Sequence, residues 1–234
     1  MNRLFLLCVI CTAAQLTSAA TYLTADRYLD VEKGRYVENP VIVIDEGRII
    51  SVTGNTDERT EDDKLITLPG VTLMPGMIDS HVHITGNQEL HGYARLVESD
   101  SSALLSGVKN SKEMLAAGIT TIRNLGAGNF NDVALRDAIN SGTIEGPRIY
   151  AAGSALGITG GHCDANLLPR EYGVVADGVA DGPWEVTTRV RENIKYGVDL
   201  IKFCATGGVM SKGTKVGVQQ YTLEEMSAIV REAH

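Results

Sequence analysis

Apolar and polar positions change rhythm near residue 70. Over residues 21–70 short apolar runs alternate with turns. Val41-Ile42-Val43-Ile44 and Ile49-Ile50-Ser51-Val52 flank Asp45-Glu46-Gly47-Arg48, which predicts a β-hairpin. Residues 57–63 form a charged loop, and residues 64–68 predict one more short strand. So few strands bury little surface alone. The pattern predicts a small β-module packed against something larger.

From Val71 the period switches between strand and helix. A strand ending in His81-Val82-His83 precedes a helix over residues 101–117, with Leu104, Leu105, Val108, Met114 and Leu115 on its apolar face and Gly118 at its end. Residues 119–125 predict a second strand, and residues 131–140 a helix carrying Val133, Leu135, Ala138 and Ile139. A third strand is expected at residues 148–152. After a glycine-rich loop, Asp181 and Pro183 open a helix whose face is marked by Trp184, Thr187, Val190, Arg191 and Ile194. Residues 199–204 predict a fourth strand. Thr222-Leu223-Glu224-Glu225 then reads as a capping box opening a helix striped by Leu223, Met226, Ile229, Val230 and Ala233. Strand–helix alternation predicts an α/β fold with parallel pairing. Eight such units close a (β/α)8 TIM-like barrel with its chemistry at the strands' carboxyl ends. About four are countable here, so an incomplete barrel is expected over residues 71–234.

Composition and charge narrow the function. The 234 residues are 44% hydrophobic with six prolines, as in a globular protein. A net charge of −8 without a basic stripe argues against nucleic acid and anionic membranes as partners. Residues 1–20 combine Arg3, an apolar stretch over residues 4–14, and the small residues Ser18-Ala19-Ala20. This predicts a signal peptide cleaved near Ala20 and an exported mature protein. The apolar run is too short to span a bilayer, which takes about 20 residues. Only Cys163 and Cys204 then remain. An oxidising compartment permits one bridge, but two small semi-buried thiols are the expectation.

The candidate chemistry lies in Pro75-Gly76-Met77-Ile78-Asp79-Ser80-His81-Val82-His83. Residues i and i+2 of a strand share a face, so His81 and His83 are a candidate metal-ligand pair. Lys202 lies inside the apolar run Val198-Asp199-Leu200-Ile201-Lys202-Phe203-Cys204. Burial lowers a lysine's pKa, and a neutral amine can add carbon dioxide to give a carbamate, a carboxylate analogue. On that strand alone, a lysine that snorkels to solvent or pairs with an acid is the simpler reading.

Taken together, Pro-Gly-x-Ile-Asp-x-His-x-His and the later Asp-Leu-Ile-Lys resemble the binuclear metal-dependent amidohydrolase superfamily. The similarity is to its Xaa-Pro dipeptidase (prolidase-like) and imidazolonepropionase-related branch. Residues 115–126, Gly160-Gly161-His162, residues 205–211 and Gln219-Gln220-Tyr221 extend the match. The resemblance implies a distorted barrel beside a small β-sandwich, whose amino-terminal part is residues 21–70. It implies two divalent ions, zinc foremost, bound by His81, His83 and a carbamylated Lys202. It also implies histidines from the fifth and sixth strands and a general acid/base aspartate from the eighth, all expected beyond residue 234. His234 lies in the helix before the fifth strand and is not one of them. Asn124 stands where an aspartate is common, and Cys163 where glycine is common.

The expected activity is hydrolysis of C–N bonds of small molecules or dipeptides, foremost of the Xaa-Pro type. His162 and Tyr221 are candidate contacts to the substrate's carbonyl oxygen and carboxylate. His91 is expected to be an ordinary loop histidine. Alternatives are a lactone, cyclic-amide or phosphotriester hydrolase on the same metal pair, or a non-catalytic half-barrel that pairs with a partner or forms a homo-oligomer. With half the ligands beyond residue 234, this stretch alone is expected to be inactive.

Overall fold

The computed structural model describes residues 19–53, 56 and 58–234. The export signal expected at residues 1–20 falls almost wholly outside them. The chain divides into two compact units, Met1–Pro75 and Gly76–His234.

The first unit is one five-stranded sheet. β1 (Thr21–Asp30) carries β5 (Lys64–Leu73) in parallel along one edge, while β2 (Arg35–Glu38) and β3 (Val41–Asp45) follow one another antiparallel along the other. The predicted hairpin joins β3 to β4 (Arg48–Thr53), with Asp45 opposite Arg48. Glu46 and Gly47 both take positive φ, 46° and 73°, as a type I′ two-residue turn requires. β5 runs five residues past the predicted end at Leu68. Its register with β1 slips between Ala25↔Leu68 and Arg27↔Thr72, because Pro69 has no N–H to donate and Gly70 turns to φ 75°. Tyr22, Val41 and Val43 are its buried core, while Ile49, Ile50 and Leu65 remain exposed. Where a sandwich was expected, the described residues of this unit form a single sheet.

The second unit is α/β. β6 (Met77–Val82), β7 (Ile119–Asn124) and β8 (Arg148–Tyr150) pair in parallel in that order. α1 (Asp100–Ala116) and α2 (Asn131–Asn140) make the crossovers. Ile84, Ile122, Val133, Leu135, Ile149 and Ala151 form the core between them. α3 (Gly182–Lys195) and α4 (Leu223–Ala233) pack together over a second core containing Leu156, Val186, Val190, Tyr221 and Ile229.

β8 ends two residues earlier than predicted, and residues 199–204 form no regular strand. The cause is local. The Ala151 N–H donates to the Asp199 carboxylate at 2.8 Å, the Ala152 and Gly153 N–H groups donate to Asp132 at 3.0 Å each, and Gly153 turns to φ 64°. Side-chain acceptors have taken the place of a neighbouring backbone. Residues 199–204 still run beside this segment, through Asp199 N–H to Ala151 O, Leu156 N–H to Lys202 O and Cys204 N–H to Leu156 O, at 2.8–2.9 Å, with one parallel bridge, Leu156↔Phe203.

Three helices follow their predicted faces only in part: Val190 of α3, Met226 and Ile229 of α4, and Leu104, Val108 and Met114 of α1 pack into the cores, while other marked residues point out. In α3 the buried positions are Val186, Val190 and Asn193, and Trp184 is 87% exposed. In α4 they are Glu225, Ala228 and Ile229, and Leu223 points out. In α1 they are Gly107 and Ser111, and Leu105 is exposed. Each core face includes a polar residue already bonded. Asn193 exchanges bonds with Ser154 (2.9 and 3.3 Å), Glu225 accepts from Gly182 N–H (2.7 Å), and Ser111 donates to Gly107 O (2.8 Å). The capping box at Thr222 forms as read, with Glu225 reciprocating. Asp181 precedes α3 but does not cap it. Its carboxylate instead accepts from the N–H and hydroxyl of Thr159, at 3.0 and 2.6 Å.

Candidate metal and substrate site

His81 is the second-to-last residue of β6, and His83 is the first residue beyond the strand. Their rings lie edge to face, 5.6 Å apart. Nδ1 of His83 is 3.3 Å from the Gly126 carbonyl. A carbonyl can only accept, so the proton sits on Nδ1 and the free lone pair on Nε2, an arrangement common in metal-binding histidines. The backbone here is fixed from several sides. Ile84 N–H donates to Asn124 at 2.8 Å, Asn110 donates to Ile84 O at 2.7 Å, and Gln88 donates to His83 O at 2.9 Å. Burial first, then the Gly126 bond acting the other way and the charges of His81 and Lys202, leave the His83 pKa below the ordinary histidine value. Its ring is thereby biased to the neutral form a metal needs.

Lys202 reaches the same region from residues 199–204. Its pKa is lowered by burial and then by the charge of Arg123, the direction needed for a nucleophilic amine. His162 stands on the loop after β8. Burial and then Lys202 lower its pKa, and among the described residues its Nδ1 is buried without a hydrogen-bond partner. A side chain at position 208 would run into the His162 ring, so Gly208 is what lets it sit there. His81, His83, Lys202 and His162 are therefore brought together. Among the described residues no three His, Cys, Asp or Glu side chains gather as a metal site; the donors present are two histidines and a lysine, which fit one side of a divalent centre.

Tyr221 is not with them. It is fully buried in the α3–α4 core, with its hydroxyl 3.3 Å from Ala180 O. Burial first, then Glu225 and Asp181, push its pKa upward. The apolar neighbours Leu156, Val186 and Ile229 claim the ring, so it packs where a substrate contact was expected.

A cavity of about 640 Å³ opens beside His81, His83 and His162. His91, expected to be a plain loop residue, lines it with Arg95, Tyr93 and Lys212. Lys212 Nζ lies 4.1 Å from the Tyr93 ring centre, and the Tyr93 hydroxyl donates to Asn166 O at 3.0 Å, tying two of the lining loops together. Asp164 also lines the cavity, but its oxygens accept from the Gly160, Ala165 and Ala176 N–H groups. These loop residues carry no spacing that a sequence reading could have used, beyond following His83 closely.

Cys163 and Cys204 form a disulfide, where two thiols were expected. Their Cα atoms are 6.1 Å apart, within the usual span. The Leu156–Phe203 bridge brings residue 204 alongside the loop, and Gly157 makes room: a Cβ there would lie 2.8 Å from that of Cys163.

The sequence model of the amidohydrolase family matches residues 72–234. The chain belongs to the amidohydrolase family. Among curated relatives, the ochratoxinase of Aspergillus niger is 38% identical over 181 residues, covering 69% of this chain and 36% of the relative. The imidazolonepropionase of Caldanaerobacter subterraneus subsp. tengcongensis is 23% identical over 206 residues, 75% of this chain and 46% of that protein. Among solved structures, a Xaa-Pro dipeptidase with methionine bound in its active site superposes with a TM-score of 0.83 at 31% identity, covering 92% of this chain and 54% of its own. The crystal structure of A. niger ochratoxinase gives 0.77 at 30%, with 92% and 53% covered. This chain thus spans about a third of the curated ochratoxinase and about half of these solved structures. It is an amidohydrolase-type enzyme sequence with TIM-barrel-type neighbours. No described helix is long and apolar enough to cross a membrane.

Proposed function

We propose that this chain supplies one side of a binuclear divalent-metal centre, zinc foremost, in an exported hydrolase of C–N bonds in small amides or dipeptides. The observation carrying this reading is His83, whose Nδ1 is committed to Gly126 O while Nε2 stays open beside His81 and Lys202. His81 and His83 would hold one ion. Lys202, its pKa lowered by burial and by Arg123, could take up carbon dioxide with loss of a proton, and the resulting carbamate would add an anionic oxygen donor to the site. Bound divalent ions supply a hydroxide at neutral pH and polarise the scissile carbonyl. His162 orients the substrate's carbonyl oxygen from the cavity wall. By the family resemblance, the remaining ligands and the acid/base aspartate would come from barrel units outside residues 76–234.

The substrate reading is Xaa-Pro dipeptides, supported by the dipeptidase likeness, with ochratoxin the alternative raised by the ochratoxinase likeness. Zinc titrated into the 234-residue chain should bind, and His81→Ala or His83→Ala should abolish that binding. Turnover of Xaa-Pro dipeptides or ochratoxin by this chain should be negligible, whereas a version carrying the remaining strands should be active and lose activity to a chelator. Hydrolysis by the longer protein that survives excess chelator would sink the metal reading. Ile78, 73% exposed on β6, favours a second role in pairing with another copy. A monomer by size-exclusion chromatography would dismiss it.

A further inference from the structure

Asn124 is fully buried at the end of β7, with both amide N–H groups and the amide oxygen hydrogen-bonded. Its Oδ1 accepts from Ile84 N–H at 2.8 Å, one residue beyond His83. Its Nδ2 donates twice, to Gly126 O at 3.2 Å and to Asp132 Oδ2 at 3.0 Å. Gly126 O is also the acceptor facing His83 Nδ1. One amide therefore holds the backbone just after His83 and the carbonyl that orients its ring. Asp132, equally buried, anchors that amide while accepting from Ala152 and Gly153 N–H.

We propose that Asn124 is a positioning residue for His83, fixing both its place and its Nδ1–H tautomer so that Nε2 faces the ion. The proposal rests on the reading of His83 as a metal ligand. A carboxylate at position 124 could still accept from Ile84 but could make neither donation, and it would lie against Asp132. This chain therefore needs an amide at position 124.

The control is Asn193, an equally buried asparagine that exchanges two bonds with Ser154 in the other core. Asn124→Ala, Asn124→Asp and Asn193→Ala are compared with the wild-type chain in calorimetric zinc titrations. Histidine ring ¹⁵N spectra are recorded without metal. Asn124→Ala and Asn124→Asp should weaken zinc binding about 10–100-fold and shift His83 away from the Nδ1–H tautomer. Asn193→Ala should lower thermal stability and leave both readouts unchanged. Asn124→Asp, which keeps the side-chain volume, carries both readouts if the alanine variant fails to fold. Wild-type zinc affinity in the Asn124 variants, or a weakening matched by Asn193→Ala, would overturn the proposal. If the wild-type chain binds no zinc, the ligand reading fails on its own. An unchanged His83 tautomer in the Asn124 variants then overturns this inference too, and an altered one upholds the positioning.

Discussion

At the end of β6 the chain around His83 is fixed by non-covalent polar bonds, Asn124 on one side and Asn110 and Gln88 on the other. At residues 199–204, Lys202 is fixed by backbone bonds to Leu156 and by a disulfide two residues on. The first side spends buried polar groups, whose strength depends on every member finding a partner. The second spends a covalent link, which limits the unfolded chain and tolerates imperfect packing around it. A site assembled from distant strands can thus be held by either means.

Breaking the polar side should cost most. Asp132→Ala leaves Asn124 Nδ2, Ala152 N–H and Gly153 N–H without their buried acceptor. At about 1–3 kcal/mol for each stranded donor, the loss should be about 5 kcal/mol in urea unfolding. A loss under about 1 kcal/mol would mean that the three donors find other partners and the network holds nothing in place.

Breaking the covalent side comes next. The bridge closes a loop with a sequence separation of 41, for which chain entropy gives about 4 kcal/mol. The double variant Cys163→Ser/Cys204→Ser should lose about that much. A dithiol, itself oxidised to a cyclic disulfide, should lower the wild type to the same level and leave the variant unmoved. Non-reduced peptide mapping that finds both cysteines alkylated in untreated protein would remove the bridge and restore the two-thiol expectation.

The comparison also explains which parts of the molecule were legible. The hairpin at Glu46-Gly47, α2 and the Thr222 capping box are written in local chemistry, and the structure follows them, while the His81–His83 spacing sets the two rings 5.6 Å apart. The inward faces of α1, α3 and α4 were legible only in part: Val108, Val190 and Ile229 pack inward as marked, but Ser111, Asn193 and Glu225 face the core too, while Leu105, Trp184 and Leu223 face out. A buried polar residue satisfied by a distant backbone group looks from its own sequence like a surface residue. The same blindness hid Asp132, whose partners lie 8 to 21 positions away. It also hid the ends of the third and fourth strands, where Asp199 and Asp132 take ladder donors. The part His91 and Arg95 play in lining the cavity went unseen because the segment after His83, with its 3-10 helix over Gly92–Val97, brings them there and no spacing marks them.

Tyr221 offers the smallest and most discriminating break. It lies beneath the Lys202 side, and its hydroxyl meets Ala180 O at 3.3 Å inside an otherwise apolar core. Phenylalanine keeps the ring and its contacts with Phe203, 6.2 Å away between centroids, and removes only that bond. Tyr221→Phe should therefore cost about 1 kcal/mol and leave zinc affinity unchanged. If the hydroxyl instead faced substrate, its removal would leave stability untouched and weaken dipeptide binding by a version carrying the remaining strands. The two outcomes have opposite signatures, stability without binding or binding without stability. The burial of the ring requires the first.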